Sequence, residues 1–447
     1  MGYKVIICLG DGMSDEPIPE LGGRTPLQVA HTPHMAALAL RGQAGLIQTV
    51  LPGMSPGSDV ANMGLLGYDP RRYYTGRGPI EAASLGIVPA DHEIIFRCNL
   101  VNIRDGKMHS FTSGHIETAD ADALLQTLNT HFLGRGIRFY TGVSYRHIMV
   151  VDQSFLGLSC TAPHDITDKD VAPYWPKGAH EAALMAIVEE ARGVLASTPK
   201  NQERLASGRY AATDIWPWSQ GRLPTLPSFL SEFGVRGGIV TAVDLLRGLG
   251  RLSGLETPNV PGATGFLDTN YAGKVAAGLA LLETGDFAYI HVEAPDECGH
   301  LGDFQKKIQA IEDFDRQVVG PVLAYMDTHP NVRVAVLPDH PTPCALKTHT
   351  ADPVPVAIAG AGIVADKAVA YDEVSVHSGG LRFSEPWALL HHLFGVYTHS
   401  RMKPGADAFP RLDLSRHAQS QRRLCEYAPR SDAAKPDPPS ATGASHL

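Results

Sequence analysis

Cysteine is sparse and scattered in this chain. The six cysteines, Cys8, Cys98, Cys160, Cys298, Cys344 and Cys425, include no Cys-x-x-Cys pair, which argues against a disulfide framework or a zinc cage and fits a reducing compartment. No apolar run approaches the roughly 20 residues that span a bilayer, so no membrane association is expected. A Gly-x-x-x-x-Gly-Lys-Ser/Thr loop is missing, which sets aside a P-loop kinase. Positive charge is in deficit. The formal net charge is −9, the wrong sign for a nucleic-acid binder or for adhesion to anionic lipid. Because the global field repels anions, an anionic substrate has to be held by local arginines or metal ions. The opening Met-Gly-Tyr-Lys runs straight into an apolar segment and leaves no room for a signal peptide. A soluble, cytoplasmic protein is the expectation.

What is present is enough apolar sequence, 44% of 447 residues, to bury a large core in two domains. A continuous apolar run at 5–9 and predominantly apolar runs at 238–243, 287–292 and 332–337 read as strands buried on both faces. Helical stretches at 271–284 and 304–326 alternate with them. That alternation predicts an α/β fold, a mainly parallel sheet flanked by helices. Three of the four runs stop at or close to an aspartate, namely Asp11, Asp296 and Asp339. Ligands gather at the carboxyl ends of strands in such sheets, so these three are expected to converge. Residues 90–209 read differently, with alternating segments at 138–140 and 145–151 and helical stretches at 120–132 and 179–196. They are expected to form a smaller α+β domain, inserted into a main domain of residues 1–89 and 210–428. The segment 429–447, rich in Pro, Ser, Ala and Asp, is expected to be disordered.

Four local motifs carry candidate chemistry. Pro56-Gly57-Ser58-Asp59 precedes a helical run at 60–66, so Ser58 is either a helix cap or a nucleophile whose phosphorylated form sits on the helix's positive end. Asp296 and His300, four apart, can share a helix face or bracket a tight turn, and both donate to divalent metals. Asp339-His340 follows a buried run, and Pro338 and Pro341 break the strand so that both side chains can reach one site. His349 stands in Thr348-His349-Thr350-Ala351-Asp352-Pro353. Each motif alone is weak. Together, Asp11, Ser58, Asp296, His300, Asp339, His340 and His349 supply mixed oxygen and nitrogen donors for two divalent ions, Mn²⁺ or Zn²⁺, with Mg²⁺ as a further candidate. Two such ions can activate a serine and neutralise phosphoryl oxygens.

These residues, in this order, resemble the alkaline phosphatase superfamily and, more closely, the archaeal-type cofactor-independent phosphoglycerate mutases. The match includes Gly10-Asp11-Gly12, Pro17-Ile18-Pro19-Glu20-Leu21-Gly22-Gly23 and Gly67-Tyr68-Asp69-Pro70. It continues through Tyr74-Thr75-Gly76-Arg77-Gly78, Phe96-Arg97-Cys98-Asn99, Gly262-Ala263-Thr264-Gly265 and Asp352-Pro353-Val354-Pro355. The resemblance implies that Asp296, His300 and His349 hold one metal. Asp11, Ser58, Asp339 and His340 would hold the other, with Ser58 as the phosphorylated nucleophile. It implies substrate-binding positions at Arg146 and His164, and an inserted domain that closes over the metals. The implied substrate is a small phosphorylated metabolite, with 2- and 3-phosphoglycerate interconverted.

The chain also departs from that pattern. Ser110-Phe111-Thr112-Ser113-Gly114-His115 stands where the family has Arg-Arg-Ala-Gly-Arg, and Glu293 stands where it has a lysine. Both changes remove positive charge, whereas arginine forks are the usual partners of phosphate and carboxylate. The departure is similar to that of a bacterial subgroup proposed to phosphorylate homoserine, whose ammonium group can pair with Glu293. A sulfatase is not expected, because Asp59-Val60-Ala61 after Ser58 lacks the Pro and Arg of a formylglycine motif.

Overall fold

The computed structural model describes residues 2–395, so the segment 429–447 and the main-domain end at 428 lie outside the described residues. Twelve strands are described: β1 Lys4–Gly10, β2 Gln43–Ile47, β3 Glu93–Arg104, β4 Lys107–Ser110, β5 Arg138–Tyr140, β6 Arg146–Asp152, β7 Asp214–Gly221, β8 Gly237–Val240, β9 Phe287–Val292, β10 Val332–Leu337, β11 Val354–Gly360 and β12 Leu381–Phe383. Seven of them form one sheet in the order β12-β2-β11-β10-β1-β9-β8. Its centre, β8, β9, β1 and β10, is parallel, and β11 runs antiparallel beside it. Alternate residues of β1 serve two cores. Ile6 and Cys8 face one, while Val5, Ile7 and Leu9 face the other, which is why the run carries no polar alternation.

The register sets the site. Leu9 pairs with Leu337, and Gly10 with Val292. The chain therefore leaves β1, β9 and β10 at one level, and Asp11, Glu293 and Asp339 emerge side by side. Two expected elements are shorter or broken. The run at 238–243 ends as a strand at Val240, because the Thr241 hydroxyl accepts from Val243 N and turns the chain toward the helix Asp244–Leu252. The stretch at 304–326 is the helix Phe304–Phe314, a π-helical turn Asp315–Val319 and the helix Gly320–Thr328. Pro321 has no N–H to continue the ladder, and the buried Asp315 carboxylate caps His34 N and Met35 N across the interface.

The other five strands form an antiparallel sheet, β4-β3-β6-β5, with β7 also pairing with β3. The helices Thr118–His131 and Glu181–Ser197 share its own core. The helix Arg77–Ser84 lies at the seam between the sheets. Gly78 permits this contact, since an added Cβ would sit 2.5 Å from Arg97 N of β3. No helix among the described residues is long and apolar enough to cross a membrane.

Candidate metal and phosphoryl-transfer site

The strand ends bring together two sets of donors. Asp296 and His300 lie one turn apart on the helix Ala294–Leu301, and His349 comes from the loop before β11. His300 Nε2 is 3.0 Å from His349 Nε2 and 3.2 Å from Asp296 Oδ2, while His349 Nε2 is 3.4 Å from Asp296 Oδ1. His300 Nδ1 is 3.0 Å from Lys347 O; donating there leaves Nε2 with a free lone pair. The second set is Asp11, Asp339 and His340, all buried, with their ligand atoms within 4.8 Å of one another. Gly12 N and His340 N both donate to Asp339 Oδ1. Gly12 has φ 59, and an added Cβ would lie 2.6 Å from Asp296 Oδ1, so this turn requires glycine.

Ser58 joins the second set. The helix Ser58–Leu65 is capped by Gly57, and no side chain makes the capping bond. The Ser58 hydroxyl is thus free of the capping role and stands 3.0 Å from His340 Nε2. Asn62, one turn on, donates to Ser58 O at 2.9 Å and to Asp339 Oδ2 at 2.7 Å, and accepts from the Tyr289 hydroxyl. Asn62 therefore ties the serine to the strand-end carboxylate.

The charge balance identifies what these donors suit. Asp11 Oδ2 is 2.8 Å from His291 Nε2, but Asp11 Oδ1 is buried with no hydrogen-bond partner. Burial, followed by the charges of Asp339, Asp296 and Glu293, raises the Asp11 carboxyl well above the ordinary range. Burial also holds His291 down at about 3, so it brings no positive charge. Two imidazole nitrogens 3.0 Å apart, an orphaned carboxylate oxygen and several buried like charges are reconciled by bound cations. The residues present fit divalent metals.

Beside the metal-ligand candidates lies a cleft of about 630 Å³ between the two sheets. Arg77 and Arg146 line it together with Glu293, Glu297 and Asp244. Burial first, then Glu297 and Asp296, push the Glu293 carboxyl up to about 8. His164 is outside the cleft lining, on a 3-10 turn with its ring 5.4 Å from Trp218 and 6.1 Å from Phe111. His291, Asn62, Thr342, Arg77 and Glu297 join the site without having been singled out in the sequence. The first had a signal, a histidine inside an otherwise apolar strand. Arg146→Ala is expected to raise KM for an anionic substrate about 10-fold or more, with metal content unchanged. Loss of metal by this variant, measured by atomic absorption, would remove Arg146 from the substrate side.

A parallel-centred sheet that gathers a free serine hydroxyl and two carboxylate–imidazole groups defines a metal-dependent phosphotransfer enzyme. Comparison with known proteins narrows the class. A sequence model described as 2,3-bisphosphoglycerate-independent phosphoglycerate mutase matches residues 39–201. The chain is 50% identical to 2,3-bisphosphoglycerate-independent phosphoglycerate mutase 2 of Methanothermobacter thermautotrophicus, over 85% of this chain and 94% of that one. It is 47% identical to the enzyme of that name from Methanothrix thermoacetophila, over 84% and 96%. Among solved structures, a Pyrococcus horikoshii protein aligns with a TM-score of 0.75 at 27% identity, covering 90% of this chain and 99% of that one. The cofactor-independent phosphoglycerate mutase of Thermoplasma acidophilum aligns with 0.60 at 28%, covering 88% and 99%. This chain belongs to the 2,3-bisphosphoglycerate-independent phosphoglycerate mutase family.

Proposed function

We propose that this chain interconverts 2- and 3-phosphoglycerate through a phosphoserine at Ser58. The observation that carries the reading is the Ser58 hydroxyl, free of the capping role and 3.0 Å from His340 Nε2, beside two groups of three metal donors. Asp296, His300 and His349 would hold one divalent ion, and Asp11, Ser58, Asp339 and His340 the other. Bound Mn²⁺ or Zn²⁺, or Mg²⁺, supplies the charge that lowers the hydroxyl's pKa and neutralises phosphoryl oxygens. Ser58 Oγ forms a bond to phosphorus as the bond to the substrate oxygen breaks. The other hydroxyl of the same glycerate skeleton then takes the phosphoryl group back. The first backbone N–H groups of the Ser58 helix favour the anionic phosphoserine. Arg77 and Arg146 hold the remaining anionic end, since guanidinium forks match a carboxylate. In this reading residues 90–209, to which the antiparallel sheet adds β7 at Asp214–Gly221, are a substrate and cap domain on a metal-binding domain that holds residues 2–89 and 222–395 of the described chain, and its closure excludes water.

Glu293 and Glu297 in the cleft lining favour one second reading, phosphorylation of an amino alcohol such as homoserine. In its ionised form, which a neighbouring ammonium group favours, the Glu293 carboxylate repels phosphoglycerate and attracts that ammonium group, by roughly 1–4 kcal/mol at an effective dielectric near 20. Purified, metal-loaded protein assayed with 2- and 3-phosphoglycerate, then with homoserine and phosphoryl donors, separates the two. Glu293→Lys is expected to leave 3-phosphoglycerate turnover unchanged or higher. No 3-phosphoglycerate turnover by the parent protein, with homoserine phosphorylated by it and that activity sharply reduced in Glu293→Lys, would replace the mutase reading with the amino-alcohol one.

A further inference from the structure

Lys307, on the helix Phe304–Phe314, is completely buried. An ammonium group has three N–H donors, and here all three are used. Lys307 Nζ donates to Asp15 Oδ2 at 2.8 Å, Ser14 O at 2.9 Å and Thr342 O at 2.8 Å. Those acceptors belong to two loops, the one after β1 that carries Asp11 and the one after β10 that carries Asp339 and His340. The loops are further stitched at the same place. Thr342 N donates to Ser14 O at 3.1 Å, Cys344 N lies 3.1 and 3.2 Å from the two Asp15 oxygens, and Met13 and Ser14 bridge to Pro341.

From Thr342 the connection reaches both donor sets. Its hydroxyl donates to Asp296 Oδ1 at 2.5 Å and lies 3.3 Å from His340 Nδ1. One threonine thus touches a ligand candidate in each group, and its backbone carbonyl is held by Lys307. Neither Lys307 nor Asp15 lines the cleft, so neither is placed to bind substrate. A fully desolvated ion pair is poor material for stability alone, because desolvation offsets most of the attraction. Its geometry, however, fixes two loops against one helix at a single point.

We propose that Lys307 is the positioning residue of the metal centre. Through Ser14, Asp15 and Thr342 it holds the two donor groups at a fixed separation and thereby sets their metal affinity. The proposal rests on the metal-dependent reading above. Outer-sphere partners of this kind typically contribute about 10–100-fold in metal affinity.

The test is Mn²⁺ affinity of the full chain, without substrate, by competition with a fluorescent chelator. Lys307→Met is expected to weaken Mn²⁺ binding about 10–100-fold. Arg204→Met is the control, since Arg204 is equally buried and pairs with Asp120 at 2.7 Å beside the antiparallel sheet. It is expected to lose comparable stability and keep the parent affinity. Should Lys307→Met fail to fold because Asp15 is left unpaired, the double variant Lys307→Met/Asp15→Asn removes that charge and is expected to show the same loss. Parent-like Mn²⁺ affinity in a folded Lys307 variant, or an equal loss in Arg204→Met, overturns the positioning role while leaving the metal reading intact. Parent protein that takes up no Mn²⁺ or Zn²⁺ overturns both.

Discussion

Ser58→Ala is expected to lower phosphoryl transfer by about 10⁴-fold or more, the scale on which loss of a covalent nucleophile is felt, while the fold and most metal binding survive. The survival follows from local structure. Ser58 makes no capping bond, Gly57 being the cap, and alanine is a good helix former at the first position. Asp11, Asp339 and His340 remain as donors. The loss follows from the chemistry, since among the described residues no second hydroxyl hydrogen-bonds His340 Nε2, which is 3.0 Å from Ser58 Oγ. A phosphoryl group that visits Ser58 is transferred twice in line, so a chiral phosphate should keep its configuration overall. Acid-quenched parent enzyme should carry phosphate on Ser58 by mass spectrometry. Inversion at phosphorus, or substantial turnover by Ser58→Ala, would mean that the acceptor attacks directly and no phosphoserine forms.

Ser58 also marks the limit of what the sequence alone conveys. Pro56-Gly57-Ser58-Asp59 is compatible with a cap or a nucleophile, and only the placement of Gly57 at the cap separates the two. The strands at 287–292 and 332–337 are legible because a run buried on both faces is predominantly apolar, with only His291 and Arg333 as exceptions, and turn residues follow each. The strand expected at 238–243 stops early because the Thr241 hydroxyl, two residues before its end, captures the backbone N–H of Val243, a competition no apolar pattern records. The supporting residues are less legible still. Asn62 and Tyr289 are 227 positions apart, and Lys307 and Asp15 are 292 apart. A buried lysine in an amphipathic helix reads as a surface residue until its acceptors are known. Arg146 is legible only through family resemblance, and in the structure it lines the cleft together with Glu293 and Glu297.

Chelation supplies the other large effect. With cations stripped, Asp11, Asp296, Asp339 and Glu293 share one buried region, and Asp11 Oδ1 has no partner. Two ions, each held at about 1,000 times its Kd, would together add about 8 kcal/mol to stability, which corresponds to a Tm change of roughly 10 °C in a chain of this length. EDTA is therefore expected to abolish activity and lower Tm by about 10 °C, and Mn²⁺ or Zn²⁺ should restore both. Calorimetry and turnover on the same sample check this, and full activity after verified removal of metal would end the two-metal reading. His300→Ala should weaken only the Asp296–His349 group. Asp11→Asn provides the sharper discriminator because its sign depends on the cations. With metal present it removes a donor and lowers Tm; in chelated protein it removes one of several buried like charges, which should raise Tm. A residue that merely packs would shift Tm in the same direction under both conditions, so the reversal distinguishes a cation site from an ordinary buried acid.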